Sequence, residues 1–174
     1  MEFLFRPTTD EDFDLYLRCF KNEEFQNMMY YNSPIKVLYL KDYIAQNDKD
    51  FKLICSVKKF DRSIINLGFV HIYYKSENLY SYVGGILPQY FNSGLGLYAS
   101  AAMLSYLTSK YNSWKIQTTI YKHNIRSLKI HLRLGFKIIS DESNRFCMEL
   151  TPNSFRNDFS MSISSRITAT ILMK

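Results

Sequence analysis

The sequence predicts an α/β (α+β) fold: a mixed, mostly antiparallel central sheet of about six or seven strands flanked by helices. Two observations carry this. Residues 51–88 hold three alternating stretches, "FKLICSVKKF", "IINLGFVHIYYK" and "LYSYVGGILP", separated by the turns "DRS" and "SEN", the pattern of strands joined by hairpins. A loop, a helical run and a further alternating stretch, "WKIQTTIY", follow directly. That order is the crossover of a parallel strand pair.

The remaining elements fit around this centre. "EFLFRP" alternates as a first strand, and "TTDEDFDLYLRCF" places Phe13, Leu17 and Phe20 at helical spacing behind Thr8 or Thr9 as cap. "KNEEFQNMMYYN" reads as a helical turn or loop. "SPIKVLYLKDYIAQN" reads as a helix with Val37, Leu40 and Ile44 on one face. Gly84-Gly85 within the fourth strand suggests a bulge or a close backbone approach. In the helix "GLYASAAMLSYLTSKY", Leu97, Ala101 and Leu104 form the buried stripe. In "NIRSLKIHLRLG", Asn124 is the cap, Ile125, Leu128 and Leu132 form the apolar face, and Gly135 is the stop. "FKIIS" and "RFCMEL" make a last hairpin. The tail, 151–174, is open between an extra strand, a swapped arm and a frayed end, so the domain is expected to span 1–150.

With 174 residues, 47% hydrophobic and 22% charged, the chain has the composition of one globular domain with a real core. Cys19, Cys55 and Cys147 are scattered and odd in number, which argues against a disulfide framework or a zinc knuckle and for a reduced, cytoplasmic setting. No run is apolar enough for a membrane span, and Glu2 and Pro7 interrupt any signal peptide. The net charge is +6, and eleven of the sixteen acids lie at or before Asp61. Between Asn78 and Ser140 there is no Asp or Glu, while Lys110, Lys115, Lys122, Arg126, Lys129, Arg133 and Lys137 all fall there. An electropositive half attracts an anionic partner. A nucleic acid is the least favoured, because these cations are scattered over two helices and strand ends.

The stretch "LPQYFNSGLGLYASAAML" sets two glycines at the mouth of a helix directly after a strand, where exposed N–H groups suit a phosphate. Together with "NIRSLKIHLRLGF", it resembles the GNAT superfamily of acyl-CoA-dependent N-acyltransferases over roughly residues 3–150. Ser127 and "NEEFQNMMYYNSPIKVLYLKDYI" look most like the RimJ/RimL-type branch. The resemblance implies acetyl-CoA as co-substrate. Its pyrophosphate would lie on the amides of Asn92, Ser93, Gly94, Leu95 and Gly96, and its pantetheine arm along Ile86 and Leu87, where a splay of the fourth strand in relatives leaves backbone groups free, with Asn124 and Ser127 in contact. The pattern departs at Phe91, where relatives usually carry Arg or Gln.

The chemistry implied is attack of an amine on a thioester, which needs a neutral amine and a proton for the departing thiolate. Seven residues after Asn124, where many relatives place a Tyr acid, this chain has His131. The base is sought among Glu23, Glu24, Glu77 and His71, or in water, unless the amine arrives partly neutral; Glu23 and Glu24 stand beside Met28, Met29, Tyr30 and Tyr31 in the segment that covers the acceptor site in relatives. The acceptor expected is a small-molecule amine such as an amino sugar or polyamine. The alternatives are a protein N-terminus and a non-catalytic coenzyme-binding module. No metal, nucleic acid or membrane partner is expected, and a homodimer is left open.

Overall fold

The computed structural model describes residues 2–29, 41, 50–111, 113–156 and 168–171, the last four by backbone alone. The helix expected over 33–47 therefore lies outside the described residues except for Lys41, as do Tyr30 and Tyr31.

In chain order the strands are β1 (Glu2–Pro7), β2 (Phe51–Lys58), β3 (Ile64–Ser76), β4 (Leu79–Ile86), β5 (Lys115–Tyr121), β6 (Lys137–Asp141), β7 (Arg145–Leu150) and β8 (Thr168–Ile171). The helices are α1 (Phe13–Phe20), α2 (Glu23–Met29), α3 (Leu95–Lys110) and α4 (Ile125–Leu134). The strands form one sheet in the order β6-β7-β5-β4-β3-β2-β1-β8. Pairings are antiparallel except β4 with β5 and β1 with β8. Seven strands match the expectation. The eighth comes from the tail, which supplies a parallel edge strand from Glu2↔Thr168 to Phe5↔Ile171.

β2 shows why the sheet is covered on both faces. Its residues Lys52 to Val57 are all buried, as a central strand between two helical layers requires. Leu53, Cys55 and Val57 pack in a core with Ala101, Met103 and Leu104 of α3 and Leu134 of α4. Ile54 faces the other way and joins Phe69, Phe25 and the α1 side chains Leu15, Tyr16, Cys19 and Phe20. α3 carries the expected stripe and more: Ala99, Ala102 and Met103 are buried too, so the helix is enclosed nearly all round.

On the α1 face, buried His71 binds through both ring nitrogens, Nε2 to the Tyr16 hydroxyl (2.7 Å) and Nδ1 to that of Tyr73 (2.8 Å). Tyr16 bonds on to Thr8 Oγ1 at 3.1 Å. Burial pushes the His71 pKa down to about 3, with nearby Lys52 acting in the same direction, so it anchors α1 as a neutral ring. Thr9, not Thr8, caps the 3-10 turn Asp10–Asp12 that leads into α1, and its N–H donates to the Asp12 carboxylate at 2.9 Å.

Two expectations are corrected. Gly84 and Gly85 pair regularly with Val70 and Phe69, without a bulge; the irregularity in this hairpin lies between Tyr74 and Ser76. The close approach is real, since a Cβ on Gly85 would lie 2.6 Å from the Phe25 ring. On α4, Ile125 and Leu132 are about half exposed. The helix instead buries His131 and Leu134, because the His131 Nδ1–H is satisfied by the Ser127 carbonyl at 2.8 Å. Apolar counting passes over a histidine neutralised in that way.

α4 stops at Gly135, where φ is +97° and a Cβ would sit 1.9 Å from the Ser154 carbonyl oxygen. Gly135→Ala combines left-handed strain with a backbone clash and is expected to cost at least about 2 kcal/mol in denaturant unfolding; a loss of a few tenths would show that the 151–156 segment yields.

Candidate active site

β4 and β5 pair over only three positions, Leu79↔Lys115, Tyr80↔Ile116 and Ser81↔Gln117. Beyond them the strands part. Thr118 Oγ1 donates to the Tyr82 carbonyl (3.0 Å) at the fork. A cavity of about 330 Å³ opens between Val83–Ile86 on one arm and Thr118–Tyr121 on the other. Ser100 and Met103 of α3 and Ser127, Ile130 and His131 of α4 also line it, as do Phe25, Met28 and Met29 of α2. Its Tyr82 hydroxyl is bonded to Ser100 Oγ (2.9 Å), and burial pushes the phenol up to about 12.

The glycine loop lies at the end of the β4 arm. Asn92 is left-handed at φ 61°, as expected of an Asn there, and Gly94 caps α3 at φ 79°. The loop uses two of its amides internally: Ser93 N–H donates to the Tyr90 carbonyl (3.3 Å) and Leu95 N–H to Ser93 Oγ (3.2 Å). Among the described residues no acceptor meets the N–H of Asn92, Gly94 or Gly96. Only Gly96 of this loop reaches the cavity wall. A Cβ there would make ordinary contact with Ile86 (3.5 Å), so the fold itself does not demand this glycine.

Ile86 lines the cavity and Leu87 does not. Leu87 is 1% exposed, its N–H donates to the Leu67 carbonyl (2.7 Å), and its own carbonyl accepts from Tyr90 (2.9 Å). The Leu87 N–H is therefore engaged within the protein, and its carbonyl keeps one lone pair beyond the bond from Tyr90.

Asn124 and Ser127 share the first turn of α4 as expected. Asn124 Oδ1 accepts the Ser127 N–H (3.1 Å) while its Nδ2 donates to the Met28 carbonyl (3.1 Å). One side chain thus caps α4 and ties α2 over the cavity. His131 stands one turn further on, with Nδ1–H donating to the Ser127 carbonyl and close to Ser127 Oγ (3.3 Å). A carbonyl only accepts, so this bond fixes the neutral tautomer with the lone pair on Nε2. Nε2 is buried with no partner among the described residues, and burial holds the ring's pKa below its ordinary value.

The acids proposed as bases lie elsewhere. Glu23 and Glu24 are exposed at the start of α2 and are not on the cavity wall. Glu24 is paired with Arg126 at 2.8 Å. Glu77 is exposed on the β3–β4 turn, and His71 is locked between two tyrosines on the α1 face. Sequence reasoning missed Arg126, Thr118 and Phe25 on the wall. No short-range pattern links Phe25 or Glu24 to residues a hundred positions on.

The family profile for the acetyltransferase (GNAT) domain matches residues 2–137. The chain belongs to the GNAT acetyltransferase family. No curated protein matches the sequence. Solved GNAT-fold structures match it at low identity. A domain from Methanocaldococcus jannaschii is 20% identical with a TM-score of 0.74, covering 86% of this chain and 97% of its own. Spermidine N-acetyltransferase from Vibrio cholerae, in complex with CoA and spermine, is 12% identical with a TM-score of 0.71, covering 87% and 96%. An aminoglycoside acetyltransferase in complex with coenzyme A is 12% identical with a TM-score of 0.68, covering 87% and 96%. At these identities the likeness is one of fold. No helix among the described residues of this GNAT domain is long and apolar enough to cross a membrane.

Asn124→Ala removes both the cap and the tie to α2. It is expected to cost about 1 kcal/mol or somewhat more, read as a Tm drop of roughly 2–4 °C. Asn124→Asp keeps the acceptor and should recover most of it; equal losses would place the stabilising contact at Met28.

Proposed function

We propose that this GNAT protein transfers an acetyl group from acetyl-CoA to a primary amine of a small molecule. The observation that carries the reading is the fork between β4 and β5, which opens a cavity next to three unengaged amides of a glycine loop. The N–H groups of Asn92, Gly94 and Gly96 fit a diphosphate, and the N-terminus of α3 adds a favourable field. Glycine at position 96 has no steric reason within the protein and a ready one in a ligand lying against it. Ile86, Asn124 and Ser127 flank the arm that would follow, while Ser93 and Leu95 hold the loop's shape.

In the reaction the amine nitrogen bonds to the acetyl carbonyl carbon as the carbon–sulfur bond breaks, and a proton passes from nitrogen to thiolate. His131 suits both halves of that transfer. As a neutral ring with a free Nε2 lone pair it accepts the proton, and as the resulting imidazolium it delivers it. It therefore acts as base before acid, a fuller role than the acid alone, and no carboxylate is needed on the wall.

The small-molecule acceptor is supported by the walled shape of the cavity under Phe25, Met28 and Met29. It is also in keeping with the spermine complex of one GNAT relative. The likeness to the RimJ/RimL-type branch rests on residues 22–44 and Ser127, and most of 30–44 lies outside the described residues.

Calorimetry with acetyl-CoA followed by thiol release across polyamines, amino sugars and peptide N-termini tests the reading. Binding and release with a small amine are expected. Release with peptides alone would mark a protein N-terminal acetyltransferase, and binding without release a non-catalytic module.

Gly96→Ala should leave Tm unchanged or raised, since Ala gains about 0.5–1 kcal/mol over Gly in a helix, and yet weaken acetyl-CoA binding several-fold. Unchanged binding would remove the loop from the coenzyme site.

His131→Gln should lower kcat about 100-fold at unaltered acetyl-CoA affinity. Because burial lowers the His131 pKa, its base form persists below the ordinary imidazole range, and at saturating amine the wild-type kcat should show its acid limb there. A variant that keeps the same acid limb would show another group to be the proton carrier.

A further inference from the structure

Arg126 is the one formally charged side chain on the cavity wall among the described residues. Its guanidinium carbon lies 5.2 Å from the centroid of the Phe91 ring, and Phe91 is the residue just before the Asn92–Gly96 loop. Its Nη2 donates to Glu24 Oε1 at 2.8 Å. The position is electrostatically uncomfortable. Arg126 sits in the first turn of α4, where no acid is present and the helix dipole disfavours a cation. An anion beside it is favourable. Glu24 serves in the free protein, but both partners are well exposed, at 36% and 49%, and an exposed pair of this kind is weak and easily exchanged. A phosphate offers the guanidinium a bidentate partner that a single carboxylate oxygen does not.

We propose that Arg126 is a diphosphate-binding residue of the coenzyme site, held at the glycine loop by the Phe91 ring and occupied in the free protein by Glu24, which the incoming phosphate displaces. Glu24 thus acts as a placeholder counter-ion. Phe91, at the position where relatives usually carry Arg or Gln, becomes the platform for a cation delivered from α4. The inference rests on the coenzyme reading above.

The test is calorimetry of coenzyme A, dephospho-coenzyme A and pantetheine with the wild-type chain and with Arg126→Ala, Arg126→Lys, Glu24→Gln and the Ala/Gln double variant. Arg126→Ala should weaken coenzyme A and dephospho-coenzyme A about tenfold, as loss of a charged hydrogen bond does, and leave pantetheine unaffected. Arg126→Lys should retain part of that affinity. Glu24→Gln should tighten both nucleotides about threefold by freeing the guanidinium, and the double variant should match Arg126→Ala. Wild-type binding with equal affinity in Arg126→Ala overturns the assignment while leaving the coenzyme reading intact. A loss confined to coenzyme A overturns it in favour of a contact with the 3′-phosphate. Weaker binding in Glu24→Gln overturns the exchange. Absence of wild-type binding overturns the coenzyme reading and this inference with it.

Discussion

The short pairing of β4 with β5 governs the rest of the molecule. Each of the two strands has a second neighbour that holds it along its length. β4 runs against β3 from Gly68↔Ile86 to Ser76↔Leu79, and β5 against β7 from Ile116↔Leu150 to Tyr121↔Arg145. Their facing edges can therefore separate after Ser81 and Gln117 without unravelling the sheet. Separation leaves main-chain donors and acceptors on the inner edges without a ladder partner, which is costly in a buried setting unless something else supplies the bonds. A ligand with amide groups of its own, lying in the fork as an added strand, meets that need. The cavity, the glycine loop at the end of one arm and α4 beside the other all follow from this single departure from regular pairing.

How much of this the sequence discloses depends on the range of each interaction. Strand alternation, the Asn124 cap and the left-handed positions Asn92, Gly94 and Gly135 are local, and each stands where the residues put it. The fork is not local. The alternation of "LYSYVGGILP" and "WKIQTTIY" does not say that their pairing stops after three positions; the splay of this strand is implied by the GNAT resemblance alone, and the double glycine suggests a bulge where the ladder is regular. Glycine at 85 answers to Phe25, a residue sixty positions earlier. The α4 face shifts for a similar reason: His131 is buried at the expense of Ile125 and Leu132 because a carbonyl of its own helix satisfies Nδ1. Glu24 looks like a base by sequence and stands as the counter-ion of Arg126 in space.

The charges divide the site into two regions with different physics. At the loop, a weakly held, exposed ion pair and unengaged amides favour an anion that arrives from solvent. Deeper in the fork the wall is aromatic, aliphatic and hydroxylic, and its titratable groups are neutral: the Tyr82 phenol is pushed up and the His131 imidazole down, each mainly by burial. The acid-free stretch from Asn78 to Ser140 supplies most of both regions. A carboxylate there would repel phosphate at the mouth and would itself be driven towards its protonated form inside.

That neutrality bears on the missing base. An ammonium entering a low-dielectric cavity that offers no carboxylate is disfavoured relative to the free amine, because desolvation weakens the charged form. In the proposed reaction such a wall would do part of the work of a carboxylate base, by favouring the deprotonated acceptor as it binds. The proton that remains to be moved is the one released as nitrogen bonds to carbon, and a neutral imidazole whose tautomer is fixed by Ser127 suits that single transfer. The wall carries one cation, Arg126, and no carboxylate among the described residues, so burial within it favours the uncharged form of an amine.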